Sequence, residues 1–213
     1  KPRLDLDTLG GFAGENLIAF SGHLGSDLAN AIFADVKTAY NASTEEEAKR
    51  YIHPEWVEKV LSLANRYRDI FGKENFFIEI QAIDQKNSPA ASLVVQGLRY
   101  VAKKYGFQTV ATADSHYPEK QDSVDQLLLL CSAMKTTLRG IKKKLEENKD
   151  VAFGGFMKSN NFHIPSLEEI EVVNNANEIA TSMQIADMCE DYNILEKPML
   201  PEFKCPDNAS EEG

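Results

Sequence analysis

The residues best suited to bind a metal ion are two of the four histidines and one aspartate. Asp114 and His116 are separated by one residue, and side chains two positions apart point to the same side of an extended backbone. Imidazole nitrogen and carboxylate oxygen are common ligands of divalent zinc, manganese and iron. A histidine that is hydrogen-bonded to its neighbouring aspartate in a loop would show the same spacing, so the motif by itself leaves both interpretations open.

His23 extends the metal hypothesis, because it follows a short apolar run just as His116 does. Residues 17–20 precede His23 and residues 108–113 precede His116, and both runs predict strands. The carboxyl ends of parallel strands share one edge of a sheet, so the loops that follow them meet there. The sequence therefore predicts that His23, Asp114 and His116 converge on one pocket.

Three other polar residues have weaker signals as site residues. Glu79 lies between two isoleucines in another predicted strand, residues 76–81, which falls between the other two in the chain. Its carboxylate therefore either lies on a solvated face or contacts the residues that bind the metal. His53 precedes a proline at a predicted helix start and is interpreted as a capping or packing residue. His163 is interpreted as a loop residue outside the ligand set.

Several kinds of catalytic site have no signature in this sequence. It contains no glycine-rich phosphate loop, no Gly-x-Ser-x-Gly elbow and no dinucleotide-binding fingerprint. Hydrolysis by a metal-bound water is the chemistry that the remaining candidates favour.

The elements that must position these residues follow from the hydrophobic pattern. β-rich runs alternate with amphipathic stretches in the first half of the chain, which is typical of a mostly parallel sheet covered by helices. Helices are predicted at residues 26–34, 57–71, 89–105, 119–134 and 167–190. The last of these is expected to divide near Asn174, and the apolar run 127–131 is expected to lie in a buried helix.

The net charge and the number of cysteines indicate which binding partners and which cellular compartment to expect. Thirty-three acidic and 23 basic residues give a net charge of -10, which has the wrong sign for a surface that binds nucleic acid broadly. Three cysteines are too few for a disulfide framework, so a reducing compartment, the cytoplasm, is expected. Cys131 and Cys189 are interpreted as small core residues and Cys205 as exposed. No apolar run approaches the roughly 20 residues of a membrane span, so no membrane association is expected.

Four segments resemble the polymerase and histidinol phosphatase (PHP) domain of bacterial or phage DNA polymerase III alpha subunits, in order and in spacing. They are residues 16–25, 75–81, 109–117 and 196–203. The last one, Lys-Pro-Met-Leu-Pro-Glu-Phe with its preceding glutamate, is similar to the segment that leads from that domain toward the polymerase palm. The resemblance spans nearly the whole chain.

The resemblance implies an α/β fold, a distorted β/α barrel related to the TIM barrel, with a multinuclear metal site at the carboxyl ends of its strands. His23 matches the cysteine-or-histidine ligand of the family's Ser-Gly-x motif, and Asp114 and His116 match its final Asp-x-His pair. Zinc or manganese is the implied cofactor. The family's first motifs, including a His-x-His, have no counterpart here, so the resemblance implies an N-terminally truncated fragment with an incomplete barrel and an incomplete ligand set.

The function implied is that of a piece of a replicative DNA-directed DNA polymerase, whose PHP domain is a metal-dependent 3′-5′ exonuclease or phosphoesterase used in proofreading. The isolated fragment is expected to be inactive, and DNA and other replisome subunits are the implied partners. We expect residues 1–150 to belong to the barrel, 151–195 to form a helical extension and 196–213 to form an extended linker. Two alternatives stay open, a non-catalytic module that braces the polymerase and a stand-alone phosphatase.

Overall fold

A computed structural model describes residues 5–13, 17–82, 88–146, 159–191, 193 and 195. Within them, three short strands form a parallel sheet in the order β1 (Ala19–Phe20), β2 (Phe76–Ile80) and β3 (Gln108–Ala111). Phe20 lies opposite Phe77, and Ile80 lies opposite Ala111. The mixed α/β class with a parallel sheet is confirmed. The described strands form a three-stranded sheet, and the distorted barrel stays a prediction.

Helices make up most of the described chain. They are α1 (Leu6–Ala13), α2 (Asp27–Asn30), α3 (Val36–Tyr40), α4 (Glu45–Lys49), α5 (Trp56–Phe71), α6 (Pro89–Tyr105), α7 (Ser123–Ala133), α8 (Leu138–Glu146), α9 (Leu167–Val173) and α10 (Ala176–Met188). A 3-10 turn, Lys120–Asp122, precedes α7. The predicted division near Asn174 is confirmed, because Asn175 caps α10 by accepting a hydrogen bond from the backbone of Glu178.

The longest helix among the described residues, α6, has clear start and stop signals in its sequence. The hydroxyl of Ser88 accepts a hydrogen bond from the backbone N–H of Ala91, and Pro89 occupies the first turn, where its missing N–H costs nothing. Gly106 ends the helix in a left-handed conformation with φ of 72°. Nine residues between these ends, most of them apolar, are buried, and most of these belong to the core that also contains Phe76, Ile78 and Ile80.

Alternate residues of β2 pack on opposite faces of the sheet. Phe76, Ile78 and Ile80 are buried in the large core that α5 and α6 cover. Phe77 faces the other way and packs with Val110 of β3 and with a residue of α10, Ile185. This alternation is the expected period of two for a strand. It places helices on both faces of the sheet, which is the usual arrangement for parallel strands.

The predicted helix at residues 26–34 is wrong in its second half. The regular helix α2 ends at Asn30, and the chain then turns to pair Phe33 with Ile52 in an isolated antiparallel bridge. The backbone N–H of Ala34 donates to Tyr51 at 2.7 Å. These tertiary hydrogen bonds satisfy the backbone where the helical pattern alone would have continued.

The prediction that residues 127–131 lie in a buried helix is also wrong in part. The segment is helical, but Leu128 and Leu129 are 49% and 67% exposed. Consecutive leucines point to all sides of a helix, so one neighbouring element cannot cover all of them. Cys131 alone of this run is buried, against Ile141 of α8.

Two further expectations concern the cysteines and membranes. Cys189, expected in the core, is exposed, because it lies just beyond the last residue of α10. Cys205 and the whole of the predicted linker, 196–213, lie outside the described residues. Among the helices that the structure describes, none combines the length and the apolar character that crossing a bilayer requires.

Candidate functional site

The candidate site is built on the carboxyl ends of the three strands, which lie along one edge of the sheet. β2 is the central strand, so the loop after β1 and the loop after β3 lie on opposite sides of its end. His23 belongs to the first loop, and Asp114 and His116 belong to the second. The topology thus places the loops that carry the three predicted ligands at one edge of the sheet, with the end of β2 between the loop of His23 and the loop of Asp114 and His116.

Glu79 ties the three strands together near this edge. Its backbone N–H donates to the hydroxyl of Ser21 at 2.9 Å. Its carboxylate oxygen Oε1 accepts from the hydroxyl of Thr112 at 2.6 Å and from the side-chain amide of Gln81 at 3.0 Å. Glu79 is therefore half-buried and hydrogen-bonded to residues that follow β1 and β3. It does not lie on a solvated face of the sheet.

Asp114 and His116 are the two predicted ligands that the structure brings together. Nε2 of His116 lies 3.4 Å from Oδ1 of Asp114, and both side chains are about one-third exposed. Asp114 adopts a φ of 51°, in the left-handed region that is uncommon for residues other than glycine. Such strain persists only where surrounding contacts fix the backbone, and it is common at functional sites.

The contacts that fix this loop come from the segment around Phe162. The backbone N–H of His116 donates to the carbonyl of Phe162 at 2.7 Å, and the two rings meet edge to face with centroids 5.9 Å apart. The hydroxyl of Ser115 donates to the carbonyl of His163 at 3.0 Å. Residues far apart in the sequence therefore hold the Asp-x-His pair in place.

His163 supports this segment from a buried position. Its Nε2 lies 2.9 Å from Oε2 of Glu169, while Oε1 of Glu169 accepts from Lys120 at 2.5 Å. The hydrogen bonds from Lys120, from the backbone of Ser166 and from His163 lower the pKa of Glu169 to about 2. The interpretation of His163 as a simple loop residue misses this role in joining α9 to the loop after β3.

His23 lies in a loop that several hydrogen bonds hold closed. Gly22, with φ of 87°, turns the backbone directly after β1. The backbone N–H of Gly25 donates to Nδ1 of His23 at 2.8 Å. The hydroxyl of Tyr40, a half-buried residue, donates to the carbonyl of Leu24, and desolvation raises the pKa of Tyr40. Tyr40 is not identifiable from the sequence, because a tyrosine 16 residues away carries no local signal for this loop.

His23 and Glu79 line one small cavity. Gly22, Leu24 and Gln81 also line it, together with three apolar residues of α6. These three are Val94, Val95 and Leu98. The cavity therefore combines an imidazole and a carboxylate from neighbouring strand ends with apolar residues of α6, while the Asp114 and His116 pair lies in the loop after β3.

The donor set that the structure describes fits a metal ion in part. Asp114 and His116 supply one oxygen and one nitrogen donor close together. Within the described ranges, no group of three or more histidine, cysteine, aspartate or glutamate residues is placed so as to hold a metal ion. The three-residue site with His23 therefore stays a prediction.

His53 has a local role consistent with capping. Its Nδ1 accepts a hydrogen bond from the backbone N–H of Glu55 at 3.0 Å, just before α5. Its own backbone N–H donates to the carbonyl of Ile32 at 2.8 Å. These contacts fix the entry to α5.

Comparison with known proteins gives several relatives that are named DNA polymerase III subunit alpha. The chain is 28% identical over 209 residues, 97% of its length, to a protein of Borreliella burgdorferi named DNA polymerase III subunit alpha. Proteins of the same name from Treponema pallidum and Thermus aquaticus are 29% and 35% identical over 69% and 65% of the chain. No family model matches the chain.

The matched region is a small part of each relative. The chain spans 15%, 12% and 9% of the length of the Borreliella, Treponema and Thermus proteins. Because the Borreliella match covers almost the whole chain, the similarity includes the strands, the loops that carry His23 and Asp114, and the C-terminal segment. The chain is thus related in sequence to one region of bacterial DNA polymerase III alpha subunits.

Proposed function

We propose that this chain is part of a replicative DNA polymerase III alpha subunit and corresponds to its PHP domain, a metal-dependent phosphoesterase that removes nucleotides from a DNA 3′ end in proofreading. The observation that carries the proposal is the Asp114 and His116 pair. It lies at the carboxyl edge of a parallel sheet, on a strained backbone, in a chain related to polymerase III alpha. DNA and other replisome subunits are the partners this proposal implies.

In this proposal, Asp114 and His116 would hold a divalent ion, zinc or manganese, with a carboxylate oxygen and an imidazole nitrogen. A bound divalent ion supplies a water acidified for attack and stabilises charge on phosphate oxygens. The chain itself orients the two side chains through the contacts of Phe162 and His163 with the loop after β3. Glu79 holds the neighbouring strand end in register through Ser21 and Thr112.

The domain boundaries belong to the same proposal. Residues 1–150 would contribute to the barrel, 151–195 would extend it, and 196–213 would lead toward the palm. Within the second unit, the hydroxyl of Ser182 on α10 donates to the carbonyl of Ala111 at 3.0 Å, so this helix lies directly against β3.

The test is metal binding and exonuclease activity of the complete polymerase subunit that contains this region. We expect zinc or manganese to support shortening of single-stranded DNA from its 3′ end. Asp114→Asn and His116→Gln should each reduce that activity by a factor of about 10 or more while leaving polymerisation intact. Asp125→Asn, an exposed residue in the first turn of α7, is the matched control. Unchanged nuclease activity in both site variants would overturn the proposal.

A second candidate function is a non-catalytic module that braces the polymerase. The observation that favours it is the donor set, since the described residues supply a pair and not a group of three ligands. Elemental analysis of the purified subunit separates the two functions. Bound metal that is lost in Asp114→Asn supports the phosphoesterase, whereas a metal-free subunit with full polymerase activity supports the bracing module.

A further inference from the structure

We propose that Gly25 is a positioning residue that fixes the tautomer of His23, so that the imidazole carries its proton on Nε2 and acts in the site as a hydrogen-bond donor while the loop is closed. The assignment concerns the neutral imidazole and follows from the loop after β1. What the tautomer means for catalysis rests on the proposed function. In that function, the tautomer determines whether His23 contacts a metal ion or an oxygen of the phosphate substrate.

The first step is the hydrogen bond to the ring. The backbone N–H of Gly25 donates to Nδ1 of His23 at 2.8 Å. A neutral imidazole has one nitrogen that accepts and one that donates. Because Nδ1 accepts from a backbone amide, the ring proton must be on Nε2.

The second step is the lack of a side chain at residue 25. A Cβ atom there would lie 2.6 Å from Cε1 and 3.2 Å from Nδ1 of the His23 ring. The first distance is far inside van der Waals contact, so any other residue would push the imidazole out of this position. Glycine is therefore required at residue 25 by the ring of His23, since its own backbone is not in the left-handed region.

The third step is that the amide of Gly25 is itself held. Its carbonyl accepts from the side-chain amide of Asn30 at 3.1 Å, and the preceding carbonyl, that of Leu24, accepts from the hydroxyl of Tyr40. The carbonyl of His23 accepts from the backbone N–H of Ser26 at 2.9 Å. Contacts from α2 and α3 thus keep the donor of the critical hydrogen bond in place.

The consequence is that neither ring nitrogen offers a free lone pair. Nδ1 accepts from Gly25, and Nε2 carries the proton. Coordination of a cation through Nε2 would require the proton to move to Nδ1 and the hydrogen bond from Gly25 to break. In the closed loop, His23 instead presents an N–H group, whose natural partner is a hydrogen-bond acceptor such as a phosphate oxygen.

Nuclear magnetic resonance of the whole chain tests this assignment. With uniform ¹⁵N labelling at about pH 8, where an ordinary histidine is neutral, we expect His23 to show the Nε2–H pattern and a ¹⁵N–¹⁵N coupling across the hydrogen bond from Gly25. His23→Gln identifies the resonances. A proton on Nδ1 of His23, or the absence of the coupling, would overturn the proposal.

A matched pair of glycine variants tests the positioning role. Gly25→Ala should abolish the coupling and shift the His23 ring resonances. Gly11→Ala, which adds a methyl group with nothing within 4 Å, should leave both unchanged. Persistence of the coupling in Gly25→Ala would show that a Cβ atom at residue 25 does not displace the His23 ring, and it would overturn the positioning role of Gly25.

Titration with zinc ions then distinguishes this inference from the proposed function. We expect an equimolar amount of zinc to leave the coupling between Gly25 and His23 intact. Loss of the coupling together with a switch of His23 to the Nδ1–H form would identify it as a metal ligand and overturn the donor role. Failure of the nuclease assay, in contrast, would overturn the phosphoesterase proposal and leave the tautomer assignment standing.

Discussion

The guanidinium group of Arg99 donates to both carboxylate oxygens of Glu178, from Nε and from Nη2, each at 2.7 Å. The Glu178 side chain is only 1% exposed, and it also accepts from the side chain of Asn174 and the backbone of Asn175. Burial alone would raise the pKa of Glu178, but these hydrogen bonds outweigh it and the pKa is lowered. The pair joins α6 to the start of α10, the helix that covers β3.

Removal of Arg99 should therefore destabilise the fold strongly. Arg99→Ala leaves a buried carboxylate without its cation, and we expect a loss of about 3 kcal/mol in the free energy of unfolding, measured with urea. Arg66→Ala is the matched control, because Arg66 pairs with Asp7 at 3.1 Å on the exposed surface and its loss should cost about 0–1 kcal/mol. Equal losses in the two variants would contradict the buried role of Glu178.

Acidic pH should weaken the contact between α9 and the loop after β3. The pKa of Glu169 is lowered from 4.5 to about 2, chiefly by its hydrogen bond with Lys120. A carboxyl group with a lowered pKa in the folded state stabilises fully above its unfolded pKa, and this stabilisation is lost as the pH falls from 4.5 toward 2. We expect Glu169→Gln to flatten the pH dependence of unfolding in this range.

The control for this pH experiment is Glu171→Gln, since Glu171 lies exposed on the same helix. Its stability curve should run parallel to that of the unmodified chain. If the stability of Glu169→Gln depends on pH between 4.5 and 2 as strongly as that of the unmodified chain, the hydrogen bonds from Lys120 and His163 do not stabilise the ionised form of Glu169.

The hydroxyl of Tyr40 should control the opening of the loop that carries His23. Tyr40→Phe removes the donor to the carbonyl of Leu24 and should cost about 0.5–1.5 kcal/mol of stability. Amide hydrogen exchange should accelerate at residues 23–26 more than elsewhere. Tyr100→Phe, at a tyrosine 47% exposed, should change stability by less than about 0.5 kcal/mol. Unchanged exchange in this loop would show that the Tyr40 contact does not hold it.

The cap of α6 should contribute measurably to stability. Ser88→Ala removes the hydroxyl that accepts from the backbone N–H of Ala91, and we expect a loss of about 1 kcal/mol in thermal or urea unfolding. Ser62→Ala, at an exposed position within α5, removes the same atom where no cap depends on it and should be neutral or slightly stabilising. A Ser88→Ala variant as stable as Ser62→Ala would exclude a capping contribution.

The elements that could be predicted are those with local signals. Ser88, Pro89 and Gly106 predict where α6 begins and ends. A run of β-branched and aromatic residues predicts the central strand. The end of α2 had no such signal, because the chain leaves the helix to bond with Tyr51 and Ile52, about 20 residues away. The first helix, α1, was not predicted at all, since it contains two glycines and has a weak helical pattern.

In the candidate site, residue type and spacing alone predicted the Asp114 and His116 pair, because two residues so near in the chain cannot lie far apart. The position of His23 relative to that pair depends on the order of strands, which places β2 between the two loops. The local sequence also contains no sign that the backbone N–H of Gly25 donates a hydrogen bond to Nδ1 of His23. That contact depends on loop closure by Asn30 and Tyr40.

The sequence by itself determined the alternation of strands and helices, the types of the polar residues after each strand and the kinship with DNA polymerase III alpha. These properties depend only on the types of the residues and on their order in the chain. The tertiary structure decided which strand lies in the middle, which side chains support the loop of Asp114 and which nitrogen of His23 is occupied. The reason is that each of these depends on contacts between residues distant in sequence, whose geometry is fixed only when the helices pack on the sheet.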